Sequence, residues 1–470
     1  MTYRMKNLPL LESLEITDIG SEGVSVGRYN DIVVFTKYAI PGDIVDLQVY
    51  KKKKSFMEGR VVKIHKYSDK RTDPICSHFE TCGGCKWQNL KYEQQLYYKQ
   101  KQVEDNFTRI GKFDIPKIND ILASEDIYYY RNKLEFTFSD KRYLTNEEYY
   151  SEIQPDELNA IGFHIPGVYY KVIDIQKCFL QREPSNSIRI AVKEYALKNG
   201  LSFFNIKQQT GLLRNMQIRT SSTGETMVIV SFNGNDEEKI EGLMSFITEK
   251  FPEVTSLMYV VNEKKNSIIT DLGIQLYKGN PYIIEKTGDL SFKIGPNSFF
   301  QTNSKQAFNL FSVVKKFAEL TGKEVVYDLY TGTGTIANFV AGNAKKVVGI
   351  EYVEPAIIDA IENSRINNIK NTYFYAGDMV KVLNDEFIAV NDKPDVIITD
   401  PPRAGMHEKV INQILKIEPE KIVYVSCNPA TQARDISLLS DKYKVNIVQP
   451  VDMFPHTHHV ECVVQLLKCC

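Results

Sequence analysis

The stretch Asp328-Leu-Tyr-Thr-Gly-Thr-Gly-Thr-Ile-Ala337 determines the fold of the last third of this chain. It places Gly332 and Gly334 between an apolar, strand-like run and a helical run, in a G-x-G-x-x-A pattern. Glycines at such a turn let backbone amides approach a nucleoside ligand closely, and Glu351, about twenty residues further on, can accept ribose hydroxyl protons. The pattern therefore predicts a nucleoside cofactor, and by itself it favours NAD and S-adenosylmethionine equally.

Strand-like runs alternate with helical runs around this turn, which indicates an α/β fold with a doubly wound parallel sheet. The strands are predicted at 324–330, 346–352, 372–375, 395–400 and 421–426. Two further runs, 444–451 and 459–467, lie too close together for a helix between them. We therefore expect a final antiparallel hairpin, as in class I (Rossmann-like) methyltransferase domains, and place such a domain at 276–470.

Two acidic residues favour S-adenosylmethionine over NAD. Asp378 follows the third strand, where it can bind the adenine edge. Asp400 opens the run Asp400-Pro-Pro-Arg403 at the end of the fourth strand, where methyltransferases place the group that meets the substrate. Either acid alone could simply cap a helix, but the two together favour the methyl donor.

A cysteine beside this predicted site is the candidate nucleophile. Cys427, in Val425-Ser-Cys-Asn-Pro429, ends an apolar strand and precedes a helix whose first position suits proline. Because a helix N-terminus stabilises a thiolate, we expect the pKa of Cys427 to be lowered. An isolated cysteine here would be better interpreted as a small buried residue, but the neighbouring methyl-donor site favours catalysis.

An acid on the closing strand is the candidate base. Glu461 lies in His458-His-Val-Glu-Cys462, where an inward-facing side chain can reach the site. On chemistry alone, His456, His458 and His459 are alternatives. The structural alternative for Glu461 is a paired acid on a half-exposed strand.

A compact cysteine loop predicts a metal site. Cys76, Cys82 and Cys85 lie within ten residues, and Cys178 is the next cysteine before the catalytic region. Four thiolates suit either tetrahedral zinc or a [4Fe–4S] cluster, and the spacing does not distinguish them. We expect a structural or RNA-positioning role for this site.

The chain before the methyltransferase domain divides into two parts. Short alternating strands over residues 1–68 predict an OB-like barrel of about five strands, with the basic run Lys51–Lys54 in a loop that can follow a phosphate backbone. Residues 69–275 predict a central α+β domain that carries the cysteines. Arg131, Lys133 and Arg214 are candidate phosphate contacts or ordinary surface charges.

Composition limits the remaining choices. The chain has 470 residues, 43% of them hydrophobic, and a net charge of −1, so any phosphate-binding surface must be local. No charge-free apolar stretch of about twenty residues occurs, and Met1–Lys6 lacks the apolar core of a signal peptide. We therefore expect a cytoplasmic protein without a membrane partner, and a monomer.

These residues resemble the RNA uracil-5-methyltransferase family, most closely its iron–sulfur branch that modifies 23S rRNA. The likeness covers nearly the whole chain, and the N-terminal barrel is similar to a TRAM domain. The motifs that carry it occur in the family's order: Ser298-Phe-Phe-Gln-Thr-Asn303, Asp400-Pro-Pro-Arg403, Ser426-Cys-Asn-Pro429 and His459-Val-Glu-Cys462.

The resemblance implies a role for each candidate residue. Cys427 corresponds to the nucleophile and Glu461 to the base, while Cys76, Cys82, Cys85 and Cys178 correspond to the ligands of a [4Fe–4S] cluster. The positions that bind S-adenosylmethionine correspond to Gln301, Tyr330, Thr335, Glu351, Asp378 and Asp400. Thr331 and Thr335 depart from the residues that many relatives carry, which affects only fine contacts to the cofactor.

The resemblance also implies an RNA substrate whose target uridine is turned out of its loop. Alternatives are a transfer RNA substrate, cytosine C5 methylation, which needs the same thiolate addition, and an iron–sulfur protein that binds RNA without catalysis.

Overall fold

The computed structural model of the chain describes residues 8–111, 113, 115, 118–151 and 157–469. The segment Met1–Lys6, considered above, lies outside these residues. Within them the strands form a closed barrel, two seven-stranded sheets and a two-stranded hairpin. None of the described helices is long and apolar enough to cross a membrane.

A closed five-stranded barrel opens the chain, as predicted. Its strands are Leu10–Ile19 (β1), Ser25–Tyr29 (β2), Ile32–Thr36 (β3), Ile44–Lys52 (β4) and Phe56–Lys66 (β5). The order is β1-β2-β3-β5-β4, and pairing of β1 with β4 closes the barrel. Alternating side chains such as Leu14, Ile16 and Leu47 fill its centre.

The barrel is followed by the cysteine loop and a helix. Helix α1 spans Tyr92–Asn106 and continues as a π-helical turn over Phe107–Gly111. Helical spacing in the sequence over residues 92–109 predicts this helix.

A mixed sheet forms the central part of the molecule. Its strands are Lys133–Ser139 (β6), Ala160–Ile165 (β7), Val168–Asp174 (β8), Leu213–Thr220 (β9), Thr226–Phe232 (β10), Ser256–Val261 (β11) and Gln275–Gly279 (β12). The helices are Asn146–Tyr150 (α2), Ser185–Lys198 (α3) and Glu237–Lys250 (α4). Residues of α3 and α4 share one core with the sheet. The hairpin Ile283–Thr287 (β13) and Leu290–Ile294 (β14) packs against Met227 and Ile229, on the opposite side of β10 from Val228 and Val230.

The last third has the predicted methyltransferase fold. Its strands are Val325–Leu329 (β15), Lys346–Glu351 (β16), Thr372–Ala376 (β17), Val396–Thr399 (β18), Lys421–Ser426 (β19), Tyr443–Val451 (β20) and Glu461–Lys468 (β21). The helices are Ser304–Ala318 (α5), Thr335–Ala341 (α6), Glu354–Ile366 (α7), Met379–Val382 (α8), Asp385–Asn391 (α9), Glu408–Ile417 (α10) and Pro429–Leu439 (α11). The sheet order is β17-β16-β15-β18-β19-β21-β20, and β21 is antiparallel to both neighbours.

Helix α1 packs on the C-terminal sheet, although the sequence places it in the central domain. Val103 and Phe107 belong to the core of that sheet, and Ile118 and Leu122 form bridges to β20. At the other end, β12 extends the central sheet a few residues beyond 275. The chain therefore contacts the C-terminal sheet first, then forms the central sheet, and then returns to form the C-terminal sheet.

Candidate active site

The glycine turn between β15 and α6 lies where the sequence predicts the cofactor site. Gly334 has a φ of +74°, and a Cβ there would lie 2.9 Å from the Cβ of Ala360 and 3.0 Å from the ring of Phe374. Only glycine fits this approach without strain. Gly332, with a φ of +55°, has open space where its side chain would stand.

A buried carboxyl group holds the turn in shape. Asp328 accepts hydrogen bonds from the hydroxyl of Thr331 at 2.5 Å and from the amide of Ala337 at 3.1 Å. Burial raises the pKa of Asp328 to about 7. Thr331, one of the positions that depart from the family pattern, therefore supports the turn through its hydroxyl.

Glu351 lies at the end of β16, as predicted, against the same turn. Its carboxylate accepts hydrogen bonds from the amides of Gly332 at 3.2 Å and Val353 at 3.0 Å. Burial, together with the carboxylates of Asp435, Asp378 and Glu351, raises the pKa of Tyr330 to about 12. Three carboxylates from different parts of the chain therefore lie close enough to Tyr330 to disfavour its ionisation.

The other predicted cofactor residues lie after β17, at the start of α6 and in the segment between β14 and α5. Asp378 caps α8 by accepting from the amide of Val380 at 3.0 Å, so the helix-cap interpretation applies to one of its oxygens. The hydroxyl of Thr335 lies 3.3 Å from that of Thr333, which contacts the carbonyl of Phe299. Gln301 lies two residues further along that segment, its carbonyl held by Asn132.

Strand pairing brings the two predicted catalytic residues together. Ser426 of β19 pairs with Cys462 of β21 in antiparallel register, so the next residues, Cys427 and Glu461, face each other across the strand ends. Asp400 follows the neighbouring strand β18. Burial and the charge of Asp400 raise the pKa of Glu461 to about 8. Burial, with a contribution from Asp328, raises that of Asp400 to about 7.

The expected lowering of the Cys427 pKa is wrong for the free protein. Burial, followed by the carboxylates of Glu461 and Asp400, raises this pKa to about 11. The positive charge of Arg403 acts in the opposite direction but does not prevail. Only the local helix N-terminus is visible in the sequence, whereas the two acids come from other strands.

Hydrogen bonds tie the Asp400–Arg403 loop to the turn of the cysteine. The carbonyl of Arg403 accepts from the Asn428 side chain at 3.1 Å and from the Thr431 hydroxyl at 3.2 Å. Buried Asp435 accepts from the amide of Met406 at 2.7 Å. The loop and the start of α11 thus form one unit.

Comparison with known proteins identifies the family of this chain. A family described as tRNA (Uracil-5-)-methyltransferase matches residues 282–469, and a TRAM domain matches residues 13–62. An uncharacterized RNA methyltransferase of Bacteroides thetaiotaomicron is 56% identical over 451 residues, which cover 95% of this chain and 99% of that protein. One from Porphyromonas gingivalis is 52% identical over 462 residues, with 97% and 99% covered.

The chain belongs to the RNA uracil-5-methyltransferase family. A solved structure of tRNA (uracil-54, C5)-methyltransferase from Pyrococcus abyssi, in complex with S-adenosyl-L-homocysteine, is also similar. Its TM-score is 0.73 at 29% identity, with 96% of this chain and 99% of that chain covered.

In this family member, one face of α1 holds the loop that leads to Glu461, a contact that the sequence did not reveal. Lys99 donates to Asp452 at 2.5 Å and to the carbonyl of Phe454 at 3.0 Å. The Tyr92 hydroxyl donates to Asp452 at 2.8 Å. Gln95 accepts from the amide of His456 at 2.8 Å. The spacing of seven residues from Tyr92 to Lys99 places all three side chains on one face of the helix.

The three histidines considered as alternative bases have different surroundings. His456 stacks on Tyr128, with ring centroids 4.4 Å apart, and its Nδ1 lies 3.2 Å from the amide nitrogen of Gln95. The rings of His458 and His459 are 4.1 Å apart. Burial lowers the pKa of all three, to about 4, 3 and 4 in chain order, so they are neutral near pH 7.

The four predicted metal ligands line one cavity of about 190 Å³. Cys76, Cys82 and Cys85 come from the loop, and Cys178 comes from the segment before α3. However, no three histidine, cysteine or carboxylate side chains among the described residues are arranged to hold a single metal ion. The prediction of a metal site is therefore supported only as far as the shared cavity.

The predicted phosphate contacts receive mixed outcomes. Arg214 is wrong as a surface contact, because it is buried and donates to the carbonyls of Asn262, Lys264 and Asn266. Lys133 is half-buried, and Arg131 lines three separate cavities.

The basic run at the barrel differs in part from its predicted position. Lys51 and Lys52 end β4 instead of lying in the loop, and Lys51 pairs with Glu58 at 2.5 Å.

Proposed function

We propose that this chain methylates C5 of a uridine in 23S rRNA, with Cys427 as covalent nucleophile and Glu461 as base. The observation that carries this proposal is the antiparallel pairing that sets Cys427 opposite Glu461, beside Asp400. Neither a helix-capping acid nor an idle buried cysteine would require this combination at one strand edge.

In the proposed reaction the Cys427 thiol releases its proton to solvent, its sulfur bonds to C6 of the uracil, and the electron pair of the C5–C6 double bond moves towards C5 and O4. S-adenosylmethionine supplies the methyl group when bound. Glu461 then removes the C5 proton, the C5–C6 double bond re-forms and the carbon–sulfur bond breaks. A base with a pKa of about 8 is suited to this transfer near neutral pH.

The six predicted cofactor positions would hold the methyl donor across the ends of β15 to β18. Glu351 would face the ribose, and Asp378 would face the adenine edge. Gln301, Tyr330, Thr335 and Asp400 would surround the methionine part. The open space at Gly332 allows a ligand to approach the backbone closely.

A trapping experiment tests the nucleophile. An RNA with 5-fluorouridine at the target position cannot lose a C5 proton, so it should leave a stable adduct on Cys427, identified by mass spectrometry of the peptide. Cys427→Ala should form no adduct, whereas the matched control Cys469→Ala, at an exposed cysteine, should form as much as the wild type. Methylation that persists in Cys427→Ala would contradict the proposal.

A second variant isolates the base. Glu461→Gln should accumulate a methylated covalent complex with ordinary uridine RNA, because it can attack but not complete elimination. Release of 5-methyluridine at the wild-type rate would assign the proton transfer to another group, and His459 would then be tested.

The choice of RNA rests on the resemblance, and the Pyrococcus abyssi tRNA enzyme makes transfer RNA the second candidate. Mapping 5-methyluridine in ribosomal and transfer RNA, from cells with and without the gene, separates them. Loss only in transfer RNA would overturn the ribosomal assignment. The same samples also test cytosine methylation, by a search for 5-methylcytidine. We further propose that the enzyme is cytoplasmic and monomeric.

We also propose that the four cysteines hold a [4Fe–4S] cluster. Zinc would need all four sulfurs within about 2.3 Å of one point. A cavity of about 190 Å³ that all four cysteines line suits a larger inorganic core better. The cluster would supply a rigid link between the loop and the segment of Cys178. Iron and acid-labile sulfide in equal amounts, lost in Cys178→Ala, are expected after anaerobic purification, and stoichiometric zinc would contradict the proposal.

A further inference from the structure

A pocket of about 320 Å³ lies where the barrel, the cysteine loop and the segment before β21 meet. Its basic walls come from Lys86, Arg131 and Arg403, and its remaining walls include His458, His459 and the turn around Glu22. We refer to this cavity as the basic pocket. Separate segments of the chain supply the three cations, so no single sequence motif predicts it.

We infer that the basic pocket binds one backbone phosphate of the RNA beside the target uridine. This inference rests on the proposed function, and it adds a site that positions the substrate. None of the six predicted cofactor positions is among the residues that line this pocket, so it is separate from the predicted cofactor site.

The first support is an unpartnered polar side chain. His458 is 7% exposed, and neither of its ring nitrogens has a hydrogen-bond partner within the part of the chain that the structure describes. A buried donor without a partner is destabilising, whereas a phosphate oxygen would accept its N–H. The side chain lines the pocket, where such an oxygen can enter.

The second support is the sign of the charges. Besides burial, the charges of Lys86, Arg403 and Lys99 lower the pKa of His458. The ring therefore lies in a positive field. Lys86 is held in place because its Nζ donates to the carbonyl of Glu22 at 2.7 Å. Three cations and one carboxylate, that of Glu22, are among the residues that line the pocket.

The third support is position. Arg403 lines the pocket, its charge reaches Cys427, and its carbonyl binds the turn of the nucleophile. His459 stands two residues before Glu461. A phosphate in the pocket would thus lie beside the segment that leads into β21 and Glu461, where it would fix the position of the uridine.

The test uses short RNA substrates in which one phosphate at a time is replaced by a neutral methylphosphonate. With wild-type protein, one position next to the target should raise the KM for RNA roughly tenfold, as expected for the loss of one charge-assisted contact. Lys86→Gln and His458→Asn should each raise the KM for unmodified RNA and lose sensitivity at that position. Lys91→Gln, at an exposed lysine nearby, is the matched control and should behave as wild type.

The outcomes separate the two proposals. If wild-type protein makes 5-methyluridine but tolerates every neutral linkage, or if the variants stay as sensitive as wild type, the basic pocket does not bind phosphate. If no unmodified RNA is methylated at uridine, the proposed function itself fails. Lys86→Gln could disturb the barrel through Glu22, so agreement with His458→Asn is required.

Discussion

The contact between α1 and the loop before Glu461 leads to a quantitative prediction for Lys99→Met. Lys99 and Asp452 are both 0% exposed, and their charged atoms are 2.5 Å apart. The substitution would leave the Asp452 carboxylate buried with only neutral donors, the Tyr92 hydroxyl and the amide of Phe454. Removing one partner of a buried pair costs about 3–5 kcal/mol. For a cooperative unit of about 200 residues this corresponds to a fall in Tm of roughly 6–20 °C.

The assay is calorimetric unfolding, with Lys101→Met as the matched control on the same helix. Lys101 is 28% exposed and pairs with Asp18 and Asp105 at the surface, so its loss should cost only about 0–1 kcal/mol. The double variant Lys99→Met/Asp452→Leu should regain most of the stability, because it removes both buried charges. Equal losses at Lys99 and Lys101, or a double variant no more stable than Lys99→Met, would refute the reasoning.

Three further predictions concern the site and the barrel. With a pKa of about 11, Cys427 should be about one part in a thousand thiolate at pH 8, so its alkylation by iodoacetamide should rise about tenfold per pH unit up to pH 10, and Glu461→Gln should accelerate it. The pKa of Glu461 is raised to about 8, so its contribution to stability is complete below its unfolded pKa near 4.5 and is lost as the pH rises through 8. Denaturation measured between pH 4.5 and 8 should therefore show Glu461→Gln gaining stability relative to wild type as the pH rises. Gly23→Ala should lower Tm more than Gly224→Ala and should raise the KM for RNA. Both glycines have a positive φ, but only at Gly23 would an added Cβ lie 2.8 Å from the Cβ of His458, which lines the basic pocket.

The sequence was sufficient for elements whose pattern is local. The strand before Cys427 was predicted as 421–426, and the structure has Lys421–Ser426. The barrel and the final hairpin also follow from alternation and turn residues. The same kind of local pattern places the glycine turn between β15 and α6, whereas the pairing of β19 with β21 was not predicted.

Features that depend on distant partners were not predictable in this way. A periodicity argument assigns Gln95 and Lys99 to the solvent side of α1, because polar residues are normally exposed. Both are buried, and their partners lie more than 350 positions away. Arg214 was misassigned for the same reason, since the carbonyls that bind it come from a loop about 50 residues further on.

The pKa of Cys427 was predicted in the wrong direction because most of its causes are not local in the sequence. A helix N-terminus alone would favour a permanent thiolate, but burial and two acids keep the free thiol protonated. The same burial raises the pKa of Glu461 to about 8, which suits removal of the C5 proton near neutral pH. Burial acts on both groups, so both Cys427 and Glu461 hold their protons more tightly in the free protein than in water. In the proposed reaction, Cys427 would therefore have to lose its proton once the substrate is in place.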